Sequence, residues 1–319
     1  MFRNRPLFAT RADQPLFVWT DPAAAARVAV KHDENTLITG ERGSGKTSLL
    51  HGIEHFLRES GQPVAFVSLS GVLDIDVAAA AIIDATRDQG WLPARTLGAT
   101  SPADPFTTTA AIRELVSAPD RSVLLLDDVA SELGLILFGR LRDELWQLPP
   151  IWVVAADATD AAGFLEPPAD AFFEAVVYLD TLSLEERMEL LMHRNSDLPE
   201  AAVNELALSG PANTRDFIAY ARQVVEHGKD PQEIVRRENE RLARAEDAAG
   251  RDGAMLVTVL ATLAPVSASD ERLLHELGWP RPRATDVMRR LEHAGVLRSF
   301  SERRGGSAGR PRKLYDFAT

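Results

Sequence analysis

The sequence predicts an α/β protein: a P-loop core with a doubly wound parallel sheet, followed by an all-α lid and a winged helix-turn-helix domain. Three observations support this fold class. A glycine-rich loop lies between a predicted strand and a predicted helix near residue 40, and short apolar strands alternate with helices as far as residue 180. Helical spacing then continues without strands until the last 70 residues, which hold three helices and a hairpin. We therefore expect three domains, at residues 1–180, 181–249 and 250–319.

The core begins with a lead-in, residues 1–34, that ends in an Ala-rich helix. Its aromatic residues Phe8, Phe17 and Trp19 either line a bound ligand or pack onto the core. Apolar and β-branched runs predict the strands of the core, and helical spacing predicts its helices. The predicted strands lie at residues 35–39, 64–69, 123–127, 150–156 and 175–179, and the helices between them include 48–57 and 77–86.

The glycine-rich loop at residues 40–47 reads Gly-Glu-Arg-Gly-Ser-Gly-Lys-Thr, which fits the pattern G-x-x-x-x-G-K-[ST] at every specified position. Its glycines let main-chain N–H groups turn toward phosphate oxygens at the start of the following helix. We expect Lys46 to reach the β- and γ-phosphates and Thr47 to give its hydroxyl to Mg²⁺, so that the loop binds ATP with Mg²⁺. The predicted nucleotide-binding residues are Gly40, Glu41, Arg42, Gly43, Ser44, Gly45, Lys46, Thr47 and Ser48.

Two carboxylates follow an apolar strand 80 residues after Thr47. The run Val-Leu-Leu-Leu at residues 123–126 predicts a strand that is buried on both faces, and it ends at Asp127 and Asp128. Ligands of open α/β sheets lie beyond the carboxyl ends of the strands. We therefore expect Asp127 to hold the Mg²⁺, through water, and Asp128 to orient or deprotonate the attacking water.

The composition is that of a globular protein, with 45% hydrophobic and 26% charged residues. No apolar run approaches the roughly 20 residues of a membrane-spanning helix, and no secretory signal is evident, so a cytoplasmic location is expected. The absence of cysteine excludes disulfides and thiolate zinc sites. His51, Glu54 and His55 match a zinc-protease pattern, but they lie on the helix after the loop and lack an evident third ligand.

The charge is distributed unevenly along the chain. The net charge is −12, yet residues 281–313 contain ten Arg or Lys and only three Asp or Glu, a local charge of +7. This basic stretch covers the third helix and the hairpin of the predicted winged helix-turn-helix, which would enter a major groove and lie against phosphates of double-stranded DNA. A winged helix that docks a protein is the alternative. The predicted DNA contacts are Arg283, Thr285, Arg289, Arg290, Arg303, Arg304, Arg310, Arg312 and Lys313.

Taken together, these motifs resemble those of the AAA+ and STAND ATPases. The phosphate loop, the Leu-Leu-Leu-Asp-Asp run, the strand before Asp157, the segment from Gly210 to Arg215 and the terminal winged helix follow the order of archaeal and eukaryotic origin-recognition and initiator proteins. The resemblance implies that Asp157 occupies the sensor-1 position, beside the γ-phosphate or the attacking water. It also implies that Arg215 is the sensor-2 arginine, which reaches the γ-phosphate from the lid.

The chain departs from the pattern of this family at three places. Asp128 stands where Glu is usual, and Asp157 where Asn, Ser or Thr is common. For Asp157, a role through Mg²⁺ or water and a plain strand cap are both open, and for Arg215 a surface arginine near a helix start is the alternative. No arginine finger precedes the last core strand, where residues 170–174 read Asp-Ala-Phe-Phe-Glu. We therefore expect slow ATP hydrolysis.

Two functional hypotheses follow. In the first, the chain is an ATP-dependent switch that binds double-stranded DNA through its winged helix and recruits or regulates partner proteins, as a homo-oligomer or in a hetero-complex. In the second, it is a STAND-type signalling or assembly ATPase whose winged helix docks a protein partner. A metabolite kinase is disfavoured, because a kinase has no need of the basic end. Neither of the two hypotheses involves a membrane.

Overall fold

Five parallel strands form one sheet in the first part of the chain. The computed structural model describes residues 2, 5–93, 110–302 and 312–318, without the side chains of Thr262 and Arg312. The strands are β1 (Thr36–Gly40), β2 (Val64–Ser68), β3 (Val123–Asp127), β4 (Ile151–Asp157) and β5 (Ala175–Leu179). Their order across the sheet is β2-β3-β4-β1-β5, and every neighbouring pair is parallel. The predicted doubly wound parallel core is confirmed.

Helices cover both faces of this sheet, which explains why its strands are apolar at nearly every position. Side chains such as Ile38, Leu125 and Val153 pack against α1 (Asp21–Lys31) and α2 (Lys46–Glu59). The alternate residues of the same strands pack on the other face against α3 (Ile75–Asp88) and a group of short helices. The short helices are α4 (Ser131–Gly134), a π-helix (Leu135–Arg140), α5 (Arg142–Leu145), α6 (Ala162–Leu165) and 3₁₀ turns at Glu114–Ser117 and Asp170–Phe172. A further 3₁₀ turn, Gln14–Leu16, lies in the lead-in.

Three helices follow the sheet, and we call them the lid helices. They are α7 (Leu184–Arg194), α8 (Glu200–Ser209) and α9 (Thr214–Val225). A capping box starts α7, because Ser183 accepts from the N–H of Glu186 while the Glu186 carboxylate accepts from the N–H of Ser183. Asn213 caps α9 with its side-chain oxygen, which accepts from the N–H groups of Arg215 and Asp216.

The lead-in connects the helix of the phosphate loop to the lid helices. On the core side, the N–H of Leu7 donates to Ser48 Oγ on α2 at 3.1 Å. On the lid side, the N–H of Phe2 donates to Glu226 at 2.8 Å, and Nδ1 of His193 lies 3.1 Å from the carbonyl oxygen of Pro15. Phe17 and Trp19 pack against the core formed by α1 and α2, whereas Phe8 remains 42% exposed.

A buried carboxylate holds this lead-in in place. Asp13 is only 2% exposed, forms two hydrogen bonds with the Arg5 guanidinium at 2.7 and 2.9 Å, and accepts from the N–H of Phe8 at 3.0 Å. Burial lowers the pKa of Arg194 on α7 to about 10, and the negative charge of Asp13 opposes this shift. Asp13 therefore compensates positive charge on both the lead-in and the lid helices.

We expect Asp13→Ala to destabilise this part of the chain by about 3 kcal/mol, because it leaves a buried positive charge uncompensated. The measurement is urea unfolding followed by tryptophan fluorescence, since four of the five tryptophans precede residue 229. Asp21→Ala, at an exposed carboxylate in the first turn of α1, is the matched control and should cost no more than about 1 kcal/mol. Equal unfolding midpoints for the two variants would contradict this role of Asp13.

The chain divides into two compact units, Met1–Gly228 and Lys229–Thr319. The second unit contains α10 (Pro231–Leu263), α11 (Glu271–Leu277), α12 (Arg281–His293), β6 (Leu297–Glu302) and β7 (Arg312–Phe317). The two strands form an antiparallel hairpin, and a single bridge joins Val266 to Tyr315. This is the element order predicted for a winged helix-turn-helix.

The division between the units differs from the boundary predicted at residues 249 and 250. That boundary falls inside α10, where Ala249 and Gly250 have non-helical backbone angles. The physical reason is that Leu242 and Ala245, before this kink, pack in the same core as Leu256, after it. Within the ranges given above, no helix combines the length and the apolar character needed to cross a membrane.

Candidate functional site

The order of the strands brings the predicted site residues to one edge of the sheet. β4 lies between β1 and β3, and Gly40 at the end of β1 is in register with Asp157 at the end of β4. β3 ends at Asp127 on the other side of β4. The phosphate loop, Asp157 and Asp127 therefore follow three neighbouring strands at their carboxyl ends, where ligands of such sheets bind.

Two glycines of the loop have backbone angles in the left-handed region. Gly43 and Gly45 have φ angles of 87° and 109°, which only glycine adopts readily. Gly45 is the N-cap of α2 and supplies no side-chain cap, so the first N–H groups of α2 are left for a ligand. Ser44 Oγ is buried and has no hydrogen-bond partner among the residues that the structure describes. These donors fit the phosphates of a nucleotide.

The ammonium group of Lys46 forms hydrogen bonds with main-chain oxygens of the phosphate loop. Its Nζ donates to the carbonyl oxygens of Gly40 at 2.7 Å and Glu41 at 2.9 Å, and it lies 3.3 Å from Asp157 Oδ2. The other carboxylate oxygen of Asp157 accepts from the N–H and the hydroxyl of Thr159 at 3.2 and 3.1 Å. Asp157 thus contacts Lys46 and also caps the turn that follows β4.

Thr47 and Asp127 form a direct pair behind the loop. The Thr47 hydroxyl donates to Asp127 Oδ2 at 2.9 Å, and Asp127 is 7% exposed. Burial raises the pKa of Asp127, the hydrogen bond from Thr47 counteracts this shift, and the charge of Asp128 adds to it. A hydroxyl and a carboxylate are oxygen ligands suited to Mg²⁺, which is held by one or two protein groups together with phosphates. No group of three or more His, Cys, Asp or Glu side chains that could hold a metal ion is found within the described ranges.

Asp128 differs from Asp127 in both exposure and backbone conformation. It is exposed, and its φ angle is 58°, in the left-handed region. Asp and Asn adopt this region more readily than residues with longer side chains, because their short polar groups form local hydrogen bonds. The local backbone therefore gives a physical reason for Asp at a position where the family pattern has Glu.

The lid helix α9 begins directly on the phosphate loop. The N–H of Arg215 donates to the carbonyl oxygen of Gly43 at 3.1 Å, and its side chain is half-buried. Asn213 Nδ2 donates to the carbonyl oxygen of Arg42 at 3.0 Å, and the Thr214 hydroxyl to that of Ser44 at 3.1 Å. The structure thus brings the predicted residue Arg215 to the loop.

The structure shows the surroundings of two features of α2, the predicted nucleotide contact Ser48 and the zinc-protease pattern at His51 and Glu54. The hydroxyl of Ser48, a residue predicted to bind nucleotide, accepts a hydrogen bond from the N–H of Leu7 in the lead-in. Nδ1 of His51 lies 2.8 Å from Glu54, and the His51 ring stacks on Phe66 at 4.2 Å between centroids. His51 and Glu54 are both buried, so they form a packed pair rather than a zinc site.

The fold of this chain is similar to that of several solved structures. The Orc1 protein of Aeropyrum pernix, in complex with DNA, shares 14% identity with a TM-score of 0.50, over 97% of this chain and 92% of that chain. Cdc6p of Pyrobaculum aerophilum shares 13% identity with a TM-score of 0.50, over 99% of this chain and 93% of that chain. This chain has the AAA+ fold. A scan against protein-family models and a search of curated proteins gave no match.

The AAA+ fold accounts for the order in which the motifs occur along this chain. The resemblance to the origin-recognition branch that the motifs predicted is confirmed at the level of the fold. Sequence reasoning assigned a site role to only one residue of the lid, Arg215, and it missed Asn213 and Thr214. The signal for Asn213 was present, since Asn is a preferred N-cap before a helix. No sequence signal shows that its amide group contacts a loop 171 residues earlier.

In the second unit, several of the predicted DNA contacts are engaged in ion pairs. Arg283 binds Asp252 through two hydrogen bonds at 3.0 and 2.8 Å, and Arg290 lies 2.6 Å from Asp286. The hydrogen bond of Asp252 raises the pKa of Arg283. These arginines remain exposed, so the ion pairs are open to exchange.

The hairpin of the same unit holds Lys313 in a small network. Its Nζ donates to Glu292 at 2.8 Å, which raises the pKa of Lys313 and, together with a hydrogen bond from Ser299, lowers the pKa of Glu292. The Thr285 hydroxyl donates to the carbonyl oxygen of Arg281. Arg303, Arg304 and Arg310 lie outside the described residues, and Arg312 is described only in its main chain.

Arg289 differs from these residues, because none of the ion pairs within the described ranges includes it. Together with Arg290 and His293 it lines an open cavity of about 480 Å³ between α10 and α12, whose other walls are Ala248 and Ala294. Both arginines and His293 are exposed. The cavity therefore presents cationic groups to solvent beside the predicted DNA-reading helix.

Proposed function

We propose that this chain is an ATP-binding switch of the AAA+ type, with slow hydrolysis. In this proposal the switch binds double-stranded DNA through residues 250–319 and recruits or regulates partner proteins, as a homo-oligomer or in a hetero-complex. The observation that carries the proposal is the meeting of Lys46, the Thr47–Asp127 pair and Asp157 at one sheet edge, under the N-terminus of a lid helix.

Each side chain has a defined task in the proposed site. Lys46 would exchange the carbonyl oxygens that it now contacts for phosphate oxygens. Thr47 and Asp127 would hold Mg²⁺, which supplies positive charge to the phosphates. Asp128 is exposed and free to orient water, and Arg215 is the residue by which the lid would sense the γ-phosphate.

DNA binding is the second part of the proposal and rests on the basic second unit. The solved Orc1 structure similar to this chain is a complex with DNA, and the Arg289 side of α12 is cationic and exposed. If about five phosphates are neutralised, the logarithm of the binding constant should fall with the logarithm of salt concentration at a slope near −4 to −5. Because Arg283, Arg290 and Lys313 must leave acidic partners, we expect weak binding at physiological salt.

Fluorescence anisotropy with a duplex of about three helical turns tests this part. We expect wild-type protein to bind in a salt-dependent manner and ATP to change the affinity. The pair Arg303→Ala and Arg304→Ala should reduce the slope by about two, and Arg289→Ala by about one. Arg272→Ala on α11, an exposed arginine of the same unit paired with Asp270, is the charge-matched control and should leave the slope unchanged. Absent or salt-insensitive binding under every condition would overturn DNA recognition.

The second candidate function is a STAND-type signalling or assembly ATPase whose terminal unit docks a protein. The ion pairs of Arg283, Arg290 and Lys313 favour it, because they occupy three of the ten basic residues of the stretch 281–313 with acidic partners in the same unit. ATP binding without salt-dependent DNA binding would support this candidate over the first.

A further inference from the structure

The first turn of α9 binds three consecutive carbonyl groups of the phosphate loop. The acceptors are the main-chain oxygens of Arg42, Gly43 and Ser44, at 3.0, 3.1 and 3.1 Å from their donors. The donors are the Asn213 amide, the N–H of Arg215 and the Thr214 hydroxyl. Three hydrogen bonds between two segments about 170 residues apart in sequence fix the loop against the lid.

Because of the geometry of the peptide bond, these contacts also determine the direction of N–H groups on the opposite side of the loop. A trans peptide is planar, and its C=O and N–H groups point in opposite directions. Holding the carbonyls of Arg42 and Ser44 toward the lid therefore directs the N–H groups of Gly43 and Gly45 away from it. In a P-loop these N–H groups are donors to the phosphates.

The close approach of the two segments explains why residue 43 is glycine. A Cβ atom on Gly43 would lie 2.7 Å from Asn213 Oδ1 and 3.0 Å from Arg215 Cβ. Its φ angle of 87° also excludes most side chains. Gly43 is thus required by the lid contact as well as by the backbone of the loop.

We propose that Asn213 and Thr214 are positioning residues, which hold the phosphate loop in its binding conformation from the lid. This inference rests on the proposed nucleotide site and adds two residues to it. Since the loop binds phosphates that ADP and ATP share, losing these contacts weakens both nucleotides by the same factor. Arg215, as a γ-phosphate sensor, would instead act on ATP alone. By reciprocity, either nucleotide strengthens the contact between the loop and the lid.

The two side chains allow variants that separate positioning from helix stability. Asn213 has two roles, because Oδ1 caps the N–H of Arg215 at 3.1 Å while Nδ2 donates to the loop. Asn213→Ser keeps an N-cap acceptor and loses the amide donor. Thr214→Val removes only the hydroxyl, and Thr214→Ser restores it. Ser209→Ala, which removes a lid hydroxyl bonded to Glu205 and Tyr220 away from the loop, is the control.

The experiment measures the affinities of the full chain for ADP and for ATP by isothermal titration, together with the melting temperature of the nucleotide-free protein. For the double variant Asn213→Ser, Thr214→Val we expect about tenfold weaker binding of both nucleotides, with an unchanged ATP-to-ADP ratio. Thr214→Ser and Ser209→Ala should stay within about twofold of wild type.

The outcomes separate this inference from the proposed function. If the wild type binds neither nucleotide, the proposed function fails, and the positioning role fails with it. If the wild type binds both and the double variant binds equally well, the positioning role alone is overturned. A lower melting temperature with unchanged affinities would also overturn it, because it would assign the two residues to lid stability only.

Discussion

Lys46→Ala is expected to lower the affinity for ATP by about 100-fold. The Lys46 ammonium is the cation at the centre of the site, within 3.3 Å of Asp157 and of the carbonyl oxygens of Gly40 and Glu41. Without it, the triphosphate would face the Asp157 carboxylate and those carbonyl oxygens with no intervening positive charge. Losing charged hydrogen bonds in such a site costs about 3 kcal/mol, which corresponds to roughly 100-fold in affinity.

The matched control is Lys31→Ala, which removes one positive charge from an exposed position on α1 of the same unit. Titration of a fluorescent ATP analogue should give this control wild-type affinity. Lys46→Arg should not restore binding, because two carbonyl oxygens at 2.7 and 2.9 Å surround a compact ammonium and not a planar guanidinium. Wild-type affinity in Lys46→Ala would exclude the proposed nucleotide site.

The strands and the loop of the first unit were predictable because local signals specify them. The predicted bounds of β1, β2 and β4 agree with the structure to within about one residue, and those of β5 agree fully. Apolar and β-branched residues in short runs have few other ways of being buried. The loop pattern likewise specifies a glycine at position 45, where the structure has a left-handed backbone angle, although it leaves position 43 unspecified.

What the sequence could not supply are contacts between distant segments. The position of β4 between β1 and β3 arises from strand pairing, which the alternation of strands and helices does not encode. The contacts of Asn213 and Thr214 with the loop depend on how α9 packs. The residues that form the strand pairs and the loop contacts are of common types. No local sequence pattern therefore shows which distant segment each of them will contact.

The second unit shows two further limits of sequence reasoning. The early part of α10 is dominated by charged residues, and its contribution to the core rests on single positions such as Leu242 and Ala245. A mixed charge pattern therefore concealed the start of the unit. Counting the basic residues does not show which of them form ion pairs. Arg283, for example, pairs with Asp252, which lies 31 residues away in the sequence.

Asp127→Asn is expected to stabilise the nucleotide-free protein and to abolish the effect of Mg²⁺ on ATP binding. The Asp127 carboxylate is 7% exposed, and its hydrogen bond from Thr47 only partly offsets the cost of burial. Asn keeps the acceptor for Thr47 but carries no charge. Removing the buried charge should stabilise the first unit by about 1 kcal/mol, which raises its melting temperature by about 2–4 °C.

The direction of the pKa shift of Asp127 determines how the stabilisation by Asp127→Asn depends on pH. Because burial raises the pKa of Asp127 above its ordinary value of 3.8, the folded protein binds the proton more tightly than the unfolded chain. The favourable contribution of the protonated group is present at low pH and is lost as the pH rises through the raised pKa. The melting temperature of Asp127→Asn should therefore exceed that of the wild type at neutral pH. The difference should shrink as the pH is lowered toward 3.8.

Asp128→Asn is the matched control, since it neutralises the neighbouring carboxylate at an exposed position and tolerates the same left-handed backbone. It should raise the melting temperature less than Asp127→Asn does, and it should leave the Mg²⁺ dependence of ATP binding unchanged while it slows hydrolysis. Thermal melts from neutral to acidic pH and titrations of ATP with Mg²⁺ or EDTA distinguish the two variants. If Asp127→Asn retained the full effect of Mg²⁺, Asp127 would not be the residue that holds the ion. If Asp127→Asn melted below the wild type at neutral pH, the buried Asp127 charge would stabilise the protein. That result would contradict the prediction that this charge is destabilising.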